Sequence, residues 1–199
     1  MQRHRRPLKK LPEVVEEVQQ AYPEAEVEGW AFDEHRIGLK PILRRVWVRK
    51  GKPAVAIVHQ RYQWSYVYGF VQPERGRTSW LLMPTVNVEA FNIALSHFAQ
   101  EVGAGKEKRV VLVLDRAGWH TSPEVLLPEG IHLTFLPPYS PELQPAEHLW
   151  PLSNEPLANR PFQSLDELEA VQAERCRRLQ DMEPMVRSHT LFHWWPGSP

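Results

Sequence analysis

The stretch Val110-Val111-Leu112-Val113-Leu114-Asp115 is an unbroken apolar run that ends on a carboxylate. A strand with one wet face alternates apolar and polar residues, so continuous apolarity predicts a strand buried on both faces. Asp115 then stands at the C-terminal end of a central strand, the edge at which ligands gather in open α/β sheets. The alternative is an aspartate that opens a turn or caps the next helix. Upstream, Asn87 offers an N-cap and Glu89 a first-turn charge. Val88, Phe91, Ala94, Leu95, Phe98 and Val102 line one helical face before Gly103. Downstream, residues 131–136 read as a further strand reached through a short helical connection, so parallel neighbours joined by a crossover are expected.

The N-terminal half reads as an antiparallel meander. Residues 26–33 are strand-like, and residues 46–48 and 54–58 flank the hairpin-like segment Arg49-Lys50-Gly51-Lys52-Pro53. Residues 64–70 carry aromatics at alternate positions, and residues 79–83 follow the turn residues at 74–76. Before the meander, Arg3, Arg5, Arg6, Lys9 and Lys10 form a basic arm, followed by a short amphipathic helix with Leu11, Val14, Val15 and Val18 on one face. Near the other end, Ser164-Leu165-Asp166-Glu167 is a capping-box pattern that opens a helix. A meander, then a helix, then strands alternating with helices predicts an α/β fold, a mixed sheet with helices on both faces.

With 199 residues and 42% hydrophobic content, the chain sustains one well-buried core and is too short for two ordinary domains plus a linker. Its 24 basic and 24 acidic residues cancel, so any nucleic-acid contact has to come from local patches. The single cysteine, Cys176, excludes an internal disulfide, and no apolar stretch resembles a signal peptide or a membrane span. A cytoplasmic setting without a membrane partner is the expectation. Nineteen prolines and eight tryptophans imply fixed loops and either an aromatic core or stacking surfaces.

Asp33 follows the strand-like Trp30-Ala31-Phe32, and if that strand lies beside residues 110–114 its carboxylate meets Asp115 at one sheet edge. Two like charges held together call for a cation, and oxygen donors suit magnesium or manganese. Glu34 faces the opposite side because strand side chains alternate, which favours Asp33 over it. A third carboxylate comes from the proline-rich residues 137–150. Pro145 suits the first position of a helix and sets Glu147 in the first turn, where an acidic side chain is also ordinary; Glu142 competes. His120 either orients neighbouring groups or contacts phosphate, or is a locally satisfied loop residue. Trp64, Trp119 and Trp150 serve base stacking or, more commonly, core packing. Arg44, Arg45, Arg49, Lys50 and Lys52 form a basic cluster suited to phosphate contact or to plain solvation.

Three blocks, Phe32-Asp33-Glu34-His35-Arg36, Leu114-Asp115-Arg116-Ala117-Gly118-Trp119-His120 and residues 137–150, resemble in order the catalytic blocks of bacterial insertion-sequence transposases. The likeness is to the IS-six-thirty branch of the mariner superfamily of DDE transposases. It implies a ribonuclease-H-like fold, two Mg2+ or Mn2+ ions held by Asp33, Asp115 and Glu147, and DNA strand cleavage and transfer by in-line displacement at phosphorus. It also implies DNA partners (element ends and target) and a homodimer or a DNA-binding partner subunit. His120, Glu142 and Gln144 become candidates for substrate or supporting contacts, and Arg116 and Trp119 join the basic cluster as candidate DNA contacts. Where asparagine is common in the family, this chain has Arg116 and Gln144. The expected organisation is a basic arm and short helix over residues 1–27, the remnant of a linker to a DNA-binding module. A catalytic domain follows over 28–160, then a C-terminal helix and tail over 161–199. A non-catalytic fragment that regulates a full transposase, or another ribonuclease-H-like nuclease, is the alternative.

Overall fold

A computed structural model describes residues 10–45, 47, 49–52, 62–138 and 140–196. Its strands are β1 (Glu26–Gly38), β2 (Trp64–Gln72), β3 (Arg77–Met83), β4 (Lys108–Leu114) and β5 (Ile131–Phe135). They form one sheet in the order β3-β2-β1-β4-β5. β1, β2 and β3 pair antiparallel, whereas β4 runs parallel to both β1 and β5. The meander and the parallel half are thus joined through β1, which runs the full height of the sheet.

Alternation along the strands splits the core in two. On one face Trp30, Phe32, Phe70, Leu112 and Leu114 pack against the fifteen-residue helix of Val88–Val102. On the other, Ala31, Val67, Val71, Val111 and Val113 meet side chains from the helices of Lys10–Ala21, Leu165–Gln180 and Glu183–Thr190. In chain order these helices are α1 (Lys10–Ala21), α2 (Val88–Val102), α3 (Trp150–Ser153), α4 (Leu165–Gln180) and α5 (Glu183–Thr190). Helices therefore cover both faces, and β4 has to be apolar on both: residues 110–114 are all buried. Each such side chain contributes roughly 1.5–3 kcal/mol on burial.

The caps read from sequence form. Asn87 Oδ1 accepts from the Ala90 N–H at 2.8 Å, and Gly103 closes α2 at φ 71°. Ser164 Oγ accepts from the Glu167 N–H at 3.2 Å to open α4. Two expectations change. The connection between β4 and β5 has turns but no helix among its described residues, since Pro123 and Pro128 remove donors and Gly118 and Gly130 break the run. The segment Pro145–Leu149 starts at Pro145 with Glu147 in its first turn, as expected, but it is a 3-10 turn that leads into the short α3. The sequence reading also passed over α5, which is anchored by tertiary contacts: Val186 in the core and Arg187 Nε donating to the Glu74 carbonyl at 2.8 Å. Phe162, Leu168, Cys176, Leu179, Val186 and Trp195 share the core under β1 and β4, so the C-terminal residues complete that face.

Of the expected hairpin, Val46, Val48 and residues 53–61 lie outside the described residues, as do Arg3, Arg5, Arg6 and Lys9 of the basic arm. The turn between them is present, with the Lys52 N–H donating to the Arg49 carbonyl at 3.0 Å.

Candidate active site

The parallel register sets Ala31 opposite Val113, so Asp33 and Asp115, each two residues further on, emerge at the same edge of the sheet. Residues 136–149 return across that edge. Their path is pinned by Gln144, whose buried Nε2 donates to the Phe32 carbonyl at 3.0 Å while its Oε1 accepts from the Ala146 N–H at 3.4 Å. Prolines 137, 138, 141 and 145 stiffen the same loop. The result is a cleft of about 450 Å3 lined by Asp33, Asp115, Arg116, Ser140, Gln144 and Glu147 together with Ala117, Leu136 and three of the prolines. Glu147 is half-buried in this lining, whereas Glu142 is exposed and outside it. A second groove of about 520 Å3 borders α4, but its charged groups pair with each other, Arg175 with Glu155 and Arg178 with Glu174.

Each carboxylate has a different environment. Asp33 has its pKa raised well above the usual 3.8, first by burial and then by the charges of Glu147 and Glu34; the Trp150 Nε1–H, donating to Oδ2 at 3.1 Å, opposes this. Glu147 is also raised, by burial and by the charge of Asp115. Asp115 is lowered, chiefly by its hydrogen bond with His120, whose Nδ1 is 2.7 Å from Oδ1. Burial opposes a charge on His120, yet its contacts with Asp115 and Glu34 outweigh this and push it up to about 9. Two raised carboxyls and a third beside them leave negative charge in want of a cation, and the all-oxygen donor set suits a hard divalent ion. Among the described residues no three His, Cys, Asp or Glu side chains stand grouped so as to hold a metal ion together. Glu147 acts on Asp33 by its charge, and Asp115 acts on Glu147 in the same way, with its Oδ1 engaged by His120 and the Ala117 N–H.

The other candidates fall apart in space and role. Arg116 is exposed at the cleft, its Nε donating to the Leu136 carbonyl at 3.3 Å and its guanidinium 5.5 Å from the Phe135 ring centre. Arg44 donates to the Pro151 carbonyl at 2.8 Å, and Arg45, Arg49, Lys50 and Lys52 are exposed. Trp150 is buried, stacked at 5.0 Å on His35, so it is a core residue that reaches the site through its N–H. Trp64 is 45% exposed, with Arg36 at 5.7 Å over its ring. Trp119 donates to Glu34 Oε1 at 3.0 Å. As alternation requires, Glu34 turns to the face opposite Asp33. Its contact with His120, at 2.9 Å, and the bond from Trp150 to Asp33 were not read from sequence.

The sheet carries Asp33 in β1 just past its pairing with β4, Asp115 directly after β4 and Glu147 on the returning loop, an oxygen-donor arrangement of the kind that divalent-metal enzymes acting on phosphate esters use. Residues 28–169 match the family described as DDE superfamily endonuclease, and the chain belongs to that family. A protein of Sinorhizobium fredii (strain NBRC 101917 / NGR234), named as uncharacterized protein y4pE/y4sA, is 35% identical over 132 residues, 66% of this chain and 96% of that one. Among solved structures, a pre-cleavage Mos1 transpososome superposes with a TM-score of 0.58 at 15% identity, covering 95% of this chain and 63% of the Mos1 chain. The Mos1 strand transfer complex gives 0.54 at 17%, covering 95% and 62%. The Mos1 mariner paired end complex with Mn gives 0.52 at 19%, covering 96% and 65%. The chain thus spans less than two thirds of the Mos1 chains it matches, and its fold is ribonuclease-H-like.

Proposed function

We propose that this chain is the catalytic part of a DNA transposase of the mariner superfamily, within its IS-six-thirty branch, and that it cleaves and transfers DNA strands with Asp33, Asp115 and Glu147 holding two Mg2+ or Mn2+ ions. The observation that carries this reading is the arrival of three carboxylates, from three separate sequence blocks, in one cleft. The solved Mos1 mariner complexes with Mn and with Mg support the choice of ion. Bound divalent ions supply a lowered pKa for an attacking water or 3′-hydroxyl and charge neutralisation at the leaving oxygen.

The chain's own residues do the rest. Asp33 and Glu147 hold charge at unfavourably close range, which primes them for a cation. Asp115 is kept ionised by His120, and Gln144 keeps Glu147 over the strand ends by tying its loop to β1. Arg116 stands at the cleft to meet phosphate, with Arg45, Arg49, Lys50 and Lys52 as backbone contacts further along the DNA. DNA is the partner on this reading, as element ends and target, handled by a homodimer or with a DNA-binding subunit.

Nicking of supercoiled plasmid and joining of 3′-hydroxyl duplex ends test it, with Mn2+ or Mg2+ and in parallel with EDTA. Metal-dependent nicking that disappears in Asp115→Asn is expected. Full metal-dependent activity in that variant would sink the assignment. Inactivity of the wild type even beside a competent DNA-binding partner would favour a regulatory fragment.

A further inference from the structure

Asp115 is the most open of the three carboxylates, with 56% of its side chain exposed, yet one of its oxygens is fixed. Oδ1 accepts from the Ala117 N–H at 3.0 Å and meets His120 Nδ1 at 2.7 Å, which leaves Oδ2 outside these bonds. The imidazole that holds it has no exposed side-chain surface, and it packs 4.7 Å from the Phe91 ring and edge-on to Phe32 at 5.5 Å. Aromatic walls fix the plane of a ring but do not select which nitrogen points where. Glu34 does: its Oε1 lies 2.9 Å from Nε2, and Trp119 Nε1–H steadies the same oxygen from 3.0 Å. With only 6% of its side chain exposed, Glu34 is a carboxylate taken from water, which costs several kcal/mol unless hydrogen bonds repay it. Among the described residues it is held by the imidazole and the indole rather than by an ammonium or guanidinium.

We infer that Glu34 and His120 form a positioning pair that fixes the rotamer of Asp115 from the far face of the sheet. Alternation makes this possible: Asp33 reaches the cleft directly, and its neighbour Glu34 reaches it through the other face by way of His120. Neither residue of the pair touches DNA or the reacting atoms. The pair works as carboxylate–imidazole supports do around metal ligands, by restricting a ligand oxygen to one direction. The inference rests on the reading of Asp115 as a metal ligand.

Two measurements on the full chain separate the inference from that reading. Mn2+ binding followed by electron paramagnetic resonance is expected to weaken about 10- to 100-fold in Glu34→Gln and in His120→Asn. The double variant should lose less than the two single losses combined, because Glu34 reaches Asp115 through the imidazole while its charge also acts on Asp33. In plasmid nicking, kcat should fall and KM for DNA should stay. Additive losses, or wild-type Mn2+ affinity in Glu34→Gln, would overturn the pair. The second measurement needs no metal: the His120 Nδ1–H proton resonance, which faces Asp115, is expected to shift in Glu34→Gln. An unmoved resonance overturns the pair even if the catalytic reading stands; a shifted resonance in a protein that binds no Mn2+ supports the hold on Asp115 and overturns its role as a ligand. If Glu34→Gln does not fold, Trp119→Phe loosens Glu34 without removing its charge and should give the same pattern with a smaller drop.

Discussion

At the scale of single residues, the two aspartates of the cleft have opposite electrostatic consequences. Sequence reasoning expects any clustered carboxylate to repel its neighbours without a cation, but the structure confines that penalty to Asp33 and Glu147, because His120 stabilises the Asp115 charge. In EDTA at pH 8, Asp33→Asn should therefore raise the melting temperature and Asp115→Asn should lower it. A change of about 1 kcal/mol corresponds to roughly 2–4 °C for a chain of this size. Both variants should lose most of the stabilisation that Mn2+ gives the wild type by linkage. The pH dependence follows from the same groups. Folded Asp33 keeps its proton well above the usual 3.8, so stability is lost as pH rises from that value through its raised folded pKa. His120 sits at about 9 against 6.5, so its contribution is complete below pH 6.5 and is lost as pH rises through 9. Thermal melts in EDTA should then decline between pH 6.5 and 9, and His120→Gln should flatten that decline. A wild-type curve that is level across this window, or a stabilising Asp115→Asn, would contradict these assignments.

At the scale of elements, the first carboxylate depends on a layer of packing that starts at a glycine in β2. Gly69 pairs with Asp33 across the sheet, and a Cβ added there would lie 2.9 Å from Trp150 Cη2 and 3.2 Å from both Trp150 Cζ3 and Trp80 Cζ3. Trp150 is held between that glycine and His35, which stacks on it and accepts a hydrogen bond from Asn154 Nδ2 at 2.8 Å. Gly69→Ala should push the indole off Asp33 and destabilise the protein by about 1–3 kcal/mol, the usual range for overpacking. Urea unfolding with tryptophan fluorescence would show it, together with weaker Mn2+ binding; a neutral Gly69→Ala would mean that the ring yields freely. Much of the element order was legible because β4, α2 and α4 each declare themselves locally, by an unbroken apolar run, by helical spacing and by Asn87 and Ser164 as caps. α5 is set by what it packs against, so no local pattern announced it, whereas Pro145 announced a helical turn over Glu147 without saying that it would be 3-10. The cleft follows the same division. Asp33, Asp115 and Glu147, read from three separate blocks as candidates, line one cleft, whereas the links from Glu34 to His120 and from Trp150 to Asp33 join positions 86 and 117 residues apart and exist only in the fold.

At the scale of the whole molecule, zero formal net charge conceals a strong segregation. Between Glu34 and Glu74 the sequence has no acidic residue, yet it holds Arg36, Lys40, Arg44, Arg45, Arg49, Lys50, Lys52 and Arg61; acidic residues concentrate instead around α1 and the start of β1, at Glu13, Glu16, Glu17, Glu24, Glu26 and Glu28. A field of one sign on one stretch attracts a polyanion although the chain as a whole is neutral. Trp47 and Tyr62, both strongly exposed on that stretch, add faces on which bases can stack. Arg44 is less free to meet phosphate, because its guanidinium is committed to the Pro151 carbonyl and its backbone to Asn159. These features predict DNA binding that is weak, indifferent to sequence and governed by salt, since contacts to phosphate position a duplex without reading its bases. Fluorescence anisotropy of a labelled duplex across a salt series gives the test. The logarithm of the affinity should fall linearly with that of the salt concentration, and each phosphate-contacting side chain should add about 0.9 to the slope. Replacing Arg45, Arg49, Lys50 and Lys52 together by alanine should then flatten the slope by up to about four such increments, whereas Arg44→Ala should change stability more than slope. Equal slopes for the wild type and the fourfold variant would show that this stretch does not touch DNA, and tight, sequence-specific binding would point to a base-reading element elsewhere in the chain.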